Sequence, residues 1–370
     1  MRGANRINRR QAWFMVSGTM YGVTLLTLPY LSAEIAHETA WLPVVVIGAL
    51  SVIVAGMVGR LAERFPGRTV IEMVSELWGR PIGLVIGLAM AGVLYLNVPL
   101  QARLNSELLN SVLLPKTPPT FLVIALVVAC VYTIEGGLSA IARLSEVLFP
   151  LTILITLLVF ALGLRHVEFS HLQPMGNFPL QNFLGARSLQ ILNSFYGFVI
   201  ILYLIPFMDK VKGLRSVGFS AVLVGTIIYT LVVTITVAVL GAYHTVETIW
   251  PGIELARAVH VRGAFIERLD FLFLTMWIGP IFLTCVNLLF FSAFGLARVI
   301  NPHNPRWLIW GLGVLAIILA LLPKGIAQLE RLNTMAGLAG LVIAYGLPIL
   351  LYLTAKVTGK GGRPDEADEA

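Results

Sequence analysis

Ser17-Gly18-Thr19-Met20-Tyr21-Gly22 interrupts the first long apolar stretch of the chain at its centre. Half the chain later, Asn193-Ser194-Phe195-Tyr196-Gly197 interrupts another in the same way. Each break carries a Tyr-Gly pair, and a proline follows each, Pro29 and Pro206. Inside lipid, a polar, glycine-interrupted helix gives up backbone hydrogen bonds that hydrocarbon cannot replace. Such a break survives where the freed N–H and C=O groups face a cavity or a ligand. Two breaks at corresponding places in two halves are the strongest sequence pointer to a ligand site at the bilayer midplane.

The rest of the chain fits that setting. Hydrophobic residues make up 58% and charged residues 12%, against about 25% charged in soluble domains. The mean hydropathy is +0.87. Ten stretches carry no charged side chain: 11–33, 39–59, 81–102, 117–134, 147–164, 188–208, 216–243, 271–297, 307–323 and 332–355. Each is long enough for a span of roughly 17–25 residues. The expectation is an all-α integral membrane protein of ten transmembrane helices. The first apolar run is too long for a cleavable signal and lacks a small-residue cleavage site.

A net charge of +7 invites a nucleic-acid reading, but the basic residues sort by loop. With the N-terminus placed in the cytoplasm, seventeen Lys and Arg fall on inside segments and eight on outside loops, which is the positive-inside bias. Ten spans then return both termini to the cytoplasm, and the partner implied is the lipid bilayer, not nucleic acid. Cys130 and Cys285 both lie inside spans, with no disulfide framework and no metal spacing. His166 and His171 share a loop without a supporting Cys or acidic cluster, so no metal and no cofactor is expected. No His, Asp, Glu, Cys or Ser constellation converges on one site, which argues against an enzyme.

The chain reads as one transmembrane domain over 1–357, with five-span repeats at about 11–164 and 188–355. The tail 358–370 is Gly-rich, then acidic, and is expected to be a disordered cytoplasmic segment. An odd number of spans per repeat makes the two repeats inverted, with helices 1 and 6 unwound. Residues 253–259 and 70–78 suit short amphipathic helices on the membrane surface.

Gln11, Gly18-Thr19, Gly22 and Leu26-Thr27-Leu28-Pro29 resemble the start of the endospore germination permeases, the B subunits of GerA-type receptors. Ile141-Ala142-Arg143-Leu144-Ser145-Glu146-Val147-Leu148-Phe149-Pro150 is similar to that family as well. The family belongs to the amino acid–polyamine–organocation superfamily, so the resemblance implies a LeuT-like fold. It further implies recognition of a small nutrient, often an amino acid, in the spore inner membrane. Assembly with an A subunit and a lipoprotein C subunit is also implied.

The expected ligand site begins with Ser17, Gly18, Thr19, Met20, Tyr21 and Gly22, where the following half-helix offers free N–H groups to a carboxylate. Opposite them stand Asn193, Ser194, Phe195, Tyr196 and Gly197, where the preceding half-helix offers carbonyls to an ammonium. The blander readings are a small-residue packing face and a kinked helix. In LeuT-like folds the third and eighth helices line the site, which adds Tyr95, Asn97, Val98, Trp277, Thr284 and Asn287. Either amide alone also reads as an inter-helix hydrogen bond, and Trp277 as packing against a kink at Gly279-Pro280. No charged residue lies at mid-depth in any span, which favours a neutral or zwitterionic ligand. Arg103 and Glu107 are expected to pair at i, i+4 near the interface.

The resulting expectation is the nutrient-sensing B subunit of a germinant receptor that binds a small neutral ligand. The alternatives are an amino acid transporter coupled to protons or Na⁺, and a structural anchor for partner subunits.

Overall fold

Asn8 opens the first helix. Its side-chain oxygen accepts from the Gln11 N–H at 2.9 Å, and its own N–H donates to the Gln11 amide oxygen at 3.1 Å, so two otherwise orphaned donors are satisfied. The structure is a computed structural model that describes residues 6–22, 24–174, 183, 185–248, 250–258, 269–300 and 305–361. In it α1 spans Arg9–Met20 and α2 spans Thr24–Ala36. The axis bends by 57° between Arg9–Met20 and Leu25–Thr39.

The break is shorter than expected. Ser17, Gly18, Thr19 and Met20 still belong to the last turn of α1, and only Tyr21 and Gly22 leave it; Val23 lies outside the described residues. The last turn persists because side chains hold it: the Thr19 hydroxyl donates back to Met15 O at 2.7 Å.

Then follow α3 (Trp41–Arg64), α4 (Val70–Trp78), α5 (Arg80–Val112), α6 (Pro119–Glu135) and α7 (Leu138–Gly163). The second half opens with α8 (Ala186–Asn193), a turn at Ser194 and Phe195, and a 3-10 segment Tyr196–Ile200. Next come α9 (Ile201–Leu204) and a 3-10 turn Ile205–Phe207, bent 47° from α8. It continues with α10 (Leu214–Leu240), α11 (Ala242–Glu247), α12 (Pro251–Ala258), α13 (Leu269–Ile300), α14 (Pro305–Leu321), α15 (Ile326–Leu341) and α16 (Leu347–Thr358).

Among the described residues, six helical segments are long and apolar enough to cross a membrane, and up to eight if each bent pair is one span. The expected count of ten needs the two shorter apolar helices, Pro119–Glu135 and Arg306–Leu321. Each is about 25 Å long at 1.5 Å per residue, at the lower edge of what spans a bilayer core.

α3 lies along α10, α5 along α13, α6 along α14, and α1 against the 3-10 segment 196–200. Gly59 shows how close the backbones come, since a Cβ there would stand 2.4 Å from Arg215 Cα. Without hydrocarbon–water contrast to drive association, such small-residue contact is how lipid-embedded helices gain dispersion energy. Large apolar side chains such as Ile53, Val85, Phe121, Leu154 and Val342 point outward, as a lipid-facing belt requires.

The two short amphipathic helices form where expected but bury their apolar faces on protein. In α4, Ile71 and Ser75 press onto Gly87 and Gly83 of α5. In α12, Gly252 meets Leu26 of α2, and Ile253, Leu255 and Ala256 are buried. At the other end, α16 stops at Thr358 and Gly359 turns with φ 68°. Residues 362–370 of the expected tail lie outside the described residues.

Candidate functional site

The two breaks touch. A Cβ on Gly197 would lie 2.9 Å from the Met20 backbone nitrogen and 3.0 Å from the Thr19 carbonyl carbon. Only a residue without a side chain fits there. α13 closes the other flank: Thr284 Oγ1 lies 2.9 Å from Pro280 O and 3.3 Å from both Gly18 O and Thr19 O. Asn287 Nδ2 donates to Thr19 Oγ1 at 2.9 Å and reaches Met15 O at 3.4 Å. The end of α1 is thus held by two polar side chains one turn apart on α13.

A residue that sequence reasoning passed over joins the two breaks. The Tyr229 hydroxyl, on α10, lies 2.6 Å from Met20 O and 3.4 Å from Ser194 O. Its ring packs against Tyr21 at 5.3 Å and Phe195 at 5.1 Å between centroids. Phe149 of α7 packs on Tyr21 at 5.0 Å. The available signal was a tyrosine at the centre of the charge-free stretch 216–243, where its hydroxyl needs a partner.

The other predicted residues divide. Ser17, Tyr21, Ser194, Phe195, Tyr196 and Gly197 are buried in the crossing. Asn193 turns toward α15, with Nδ2 3.0 Å from a Cβ built on Gly337, and Tyr196 reaches Gly340. Trp277 is buried beside Phe273, 5.3 Å away. Val98 is buried. Asn97 donates to Val93 O of its own helix at 2.8 Å. Tyr95 is turned to α14, its hydroxyl donating to Leu312 O at 2.8 Å, so its polar end is directed away from the breaks.

Side-chain satisfaction at the crossing is incomplete. Among the described residues, Ser17 Oγ, Tyr21 Oη, Asn193 Oδ1, Tyr196 Oη, Trp277 Nε1 and Asn287 Oδ1 are buried without a hydrogen-bond partner. Buried polar atoms are normally paired; Ser17, Tyr21, Tyr196 and Asn287 belong to the breaks and their α13 flank, and Gln101 Oε1, Asn105 Oδ1, Ser188 Oγ and Tyr203 Oη are likewise unpartnered elsewhere among the described residues.

The broken spans are tied at both ends as well. On the side of the N-terminus, Ile7 N donates to Phe207 O at 2.9 Å and Asp209 N to Ile7 O at 3.0 Å, a main-chain strap. At the opposite ends, Arg187 Nε of α8 meets Glu34 Oε2 of α2 at 2.8 Å, and the guanidinium also donates to Tyr30 at 3.1 Å. Also on the side of the N-terminus, Glu146 of α7 receives Arg10 at 3.5 Å and Gln11 Nε2 at 3.4 Å. The expected Arg103–Glu107 pair is present at 2.7 Å.

The model of the family described as "Spore germination protein" matches residues 6–328. The chain belongs to the spore germination protein family. Spore germination protein B2 of Bacillus subtilis (strain 168) is 25% identical over 361 residues, covering 97% of this chain and 98% of that one. Spore germination protein YndE of the same organism is 28% identical and covers 96% and 98%. Spore germination protein A2, also from Bacillus subtilis (strain 168), is 27% identical and covers 94% of each.

Two solved structures share the architecture. A substrate-bound, outward-open Na⁺-coupled sialic acid symporter aligns with TM-score 0.72 at 13% identity, covering 95% of this chain and 80% of that one. Mhp1, a nucleobase-cation-symport-1 family transporter in a closed conformation, aligns with TM-score 0.67 at 14% identity, covering 92% and 78%. This spore germination protein therefore has the LeuT-like fold that the family resemblance implied.

Proposed function

We propose that this chain is the nutrient-sensing B subunit of a spore germinant receptor, and that it binds a small neutral or zwitterionic ligand where its two broken spans cross. The observation that carries the reading is the set of buried, unpartnered polar atoms on Ser17, Tyr21, Tyr196 and Asn287, residues of the two breaks and of the α13 flank that holds them. A ligand with donors and acceptors would complete them. The half-helix ends supply partial charges of both signs, which suits an amino acid whose ends are oppositely charged. Ser17, Gly18, Thr19, Met20, Tyr21 and Gly22 form one wall; Asn193, Ser194, Phe195, Tyr196 and Gly197 form the other. Thr284, Asn287, Trp277, Asn97 and Val98 flank them. Tyr95 belongs to this set only if α14 releases its hydroxyl.

Tyr21 and Phe195 are buried at the crossing, so binding requires the packing there to open. A sensor binds its ligand differently in two states, and that difference drives a partner. The partners in this reading are an A subunit and a lipoprotein C subunit, with the chain in the spore inner membrane and both termini in the cytoplasm. Ten spans, as two inverted five-span repeats at about 11–164 and 188–355, complete the proposal.

Reconstitution in liposomes with candidate amino acids, under proton and Na⁺ gradients, tests it. The expected outcome is saturable binding with little net uptake by the isolated chain. Sustained gradient-driven uptake would replace the sensor with a coupled transporter.

A further inference from the structure

We propose that the side chain of Met20 is a built-in placeholder for the apolar side chain of the ligand, so that the site takes neutral amino acids with side chains of methionine size or smaller. The inference rests on the amino acid reading of the crossing and adds the slot that the ligand's side chain enters. Met20 is the last residue of α1, and it is buried. Its side chain runs from the first break to α10 between two glycines. A Cβ on Gly197, in the second break, would stand 2.9 Å from Met20 Cγ. A Cβ on Gly225, on α10, would stand 2.6 Å from Met20 Cε. Among the described residues, that methyl carbon is the only atom from outside α10 within 4 Å of the point. The slot is as long as a methionine because glycine stands both at its middle and at its end.

The main chain of Met20 is fixed, but its side chain is free to turn. Gly225 and Tyr229 are one turn apart and share a face of α10. The Tyr229 hydroxyl holds Met20 O at 2.6 Å, so the backbone stays in place when the thioether swings out. The neighbouring side chains are stiffer. Tyr21 and Phe195 pack their rings on Tyr229 at 5.3 and 5.1 Å, and a ring moves only as one plate. Methionine is unbranched and polarizable, and it repacks in irregular gaps at little cost. Of these side chains, Met20 is therefore the one that frees volume with the least disturbance. What leaves the slot is an unbranched apolar chain, so what replaces it is an apolar side chain of the same length or shorter.

The test uses the full chain in bilayer nanodiscs, with L-alanine and L-methionine as probes and calorimetric titration as the measurement. The readout is the ratio of the two dissociation constants, because a residue that only supports the fold changes both together. Met20→Ala empties the slot and should shift the ratio about tenfold in favour of L-methionine, the scale of a methylene group in an apolar pocket. Gly225→Ala shortens the slot from its far end and should shift the ratio about tenfold in favour of L-alanine. A second measurement needs no cavity-forming variant. In the wild-type chain carrying ¹³C-methyl methionine, the Met20 signal is identified by its loss in Met20→Leu, a volume-conserving change. That signal should move on saturation with unlabelled L-methionine. An unchanged ratio in both variants, or a Met20 signal that stays in place at saturation, would overturn the proposal, because Met20 then only packs. If Met20→Ala does not fold, Gly225→Ala and the methyl signal decide. Binding of both probes without these shifts leaves the amino acid reading standing. Absence of saturable binding of either probe to the wild-type chain overturns that reading, and the slot with it.

Discussion

The Tyr229 hydroxyl donates to the Met20 carbonyl at 2.6 Å, and the same oxygen lies 3.4 Å from the Ser194 carbonyl. One side chain on α10 therefore touches the exposed backbone of both breaks. A helix end inside lipid leaves carbonyls that need donors, and here a single donor serves two ends. Any motion that separates the breaks must give up that bond, and any motion that carries them together can keep it.

Tyr229→Phe removes the donor and keeps the ring contacts with Tyr21 and Phe195. Loss of one such bond should cost about 1 kcal/mol, read as a downshift of a few degrees in thermal unfolding in detergent. Ligand response should weaken by about fivefold, if a comparable energy separates the two states. Wild-type thermal stability and wild-type response together would show that the bond is incidental.

Thr284 and Asn287 hold the last turn of α1 from α13. Thr284→Ser keeps the hydroxyl and should leave the response near normal. Thr284→Val removes it and leaves the carbonyls of Gly18, Thr19 and Pro280 to other donors, a loss of roughly 1–3 kcal/mol for buried groups left unpaired. The measurement is the concentration of nutrient giving half-maximal germination in spores that carry each variant. Equal sensitivity in the Ser and Val variants would remove Thr284 from the site.

The breaks and the fold were legible before the structure because lipid makes free backbone groups expensive. A Gly-rich polar stretch in the middle of a span must therefore serve a purpose. The spans themselves were legible for the same reason. The ties were not. Glu34 and Arg187 each sit near the end of an apolar stretch, where charges are ordinary, and only the fold brings them to 2.8 Å. The strap between Ile7 and Phe207 is main chain, so no side-chain pattern announces it. For Tyr95 depth in the helix was readable but facing was not; its hydroxyl is turned toward α14. The first break is shorter than its glycine content suggests because Thr19 and α13 side chains stabilise a turn that glycine alone would unwind.

The Glu34–Arg187 pair joins the half-helices α2 and α8 at a half-exposed position. Partly hydrated pairs contribute about 1 kcal/mol or less. A double-mutant cycle with Glu34→Gln and Arg187→Gln should give a coupling of that size, shrinking as salt rises. A coupling several times larger, or one indifferent to salt, would mean that the pair is more deeply desolvated than its geometry indicates.

Arg103 and Glu107 close on each other at 2.7 Å on α5. The pair is local to one helix, and its removal should leave nutrient response within about threefold of normal, the scale of a fraction of a kcal/mol. Complete loss of response in Arg103→Gln, at normal protein level, would instead make Arg103 a gate or a carboxylate contact.

Gly197 and Gly22 give the most direct test of the crossing. At Gly197 a Cβ would meet backbone atoms, Met20 N at 2.9 Å and the Thr19 carbonyl carbon at 3.0 Å. Backbone cannot rotate out of the way, so Gly197→Ala must push the two broken spans apart. At Gly22 the nearest atom is the Thr284 hydroxyl, 3.1 Å from a built Cβ. A methyl group there needs a shift of a few tenths of an ångström, whereas a branched side chain does not fit. The expected order is therefore loss of response in Gly197→Ala and Gly22→Leu, with partial response in Gly22→Ala. Membrane insertion should persist in all three, because each variant stays apolar enough for its span. Immunoblots of spore membranes establish the protein level, and germination against nutrient concentration reads the response. Normal sensitivity in Gly197→Ala would mean that the spans do not need their close approach, and the proposed site would lose its physical basis.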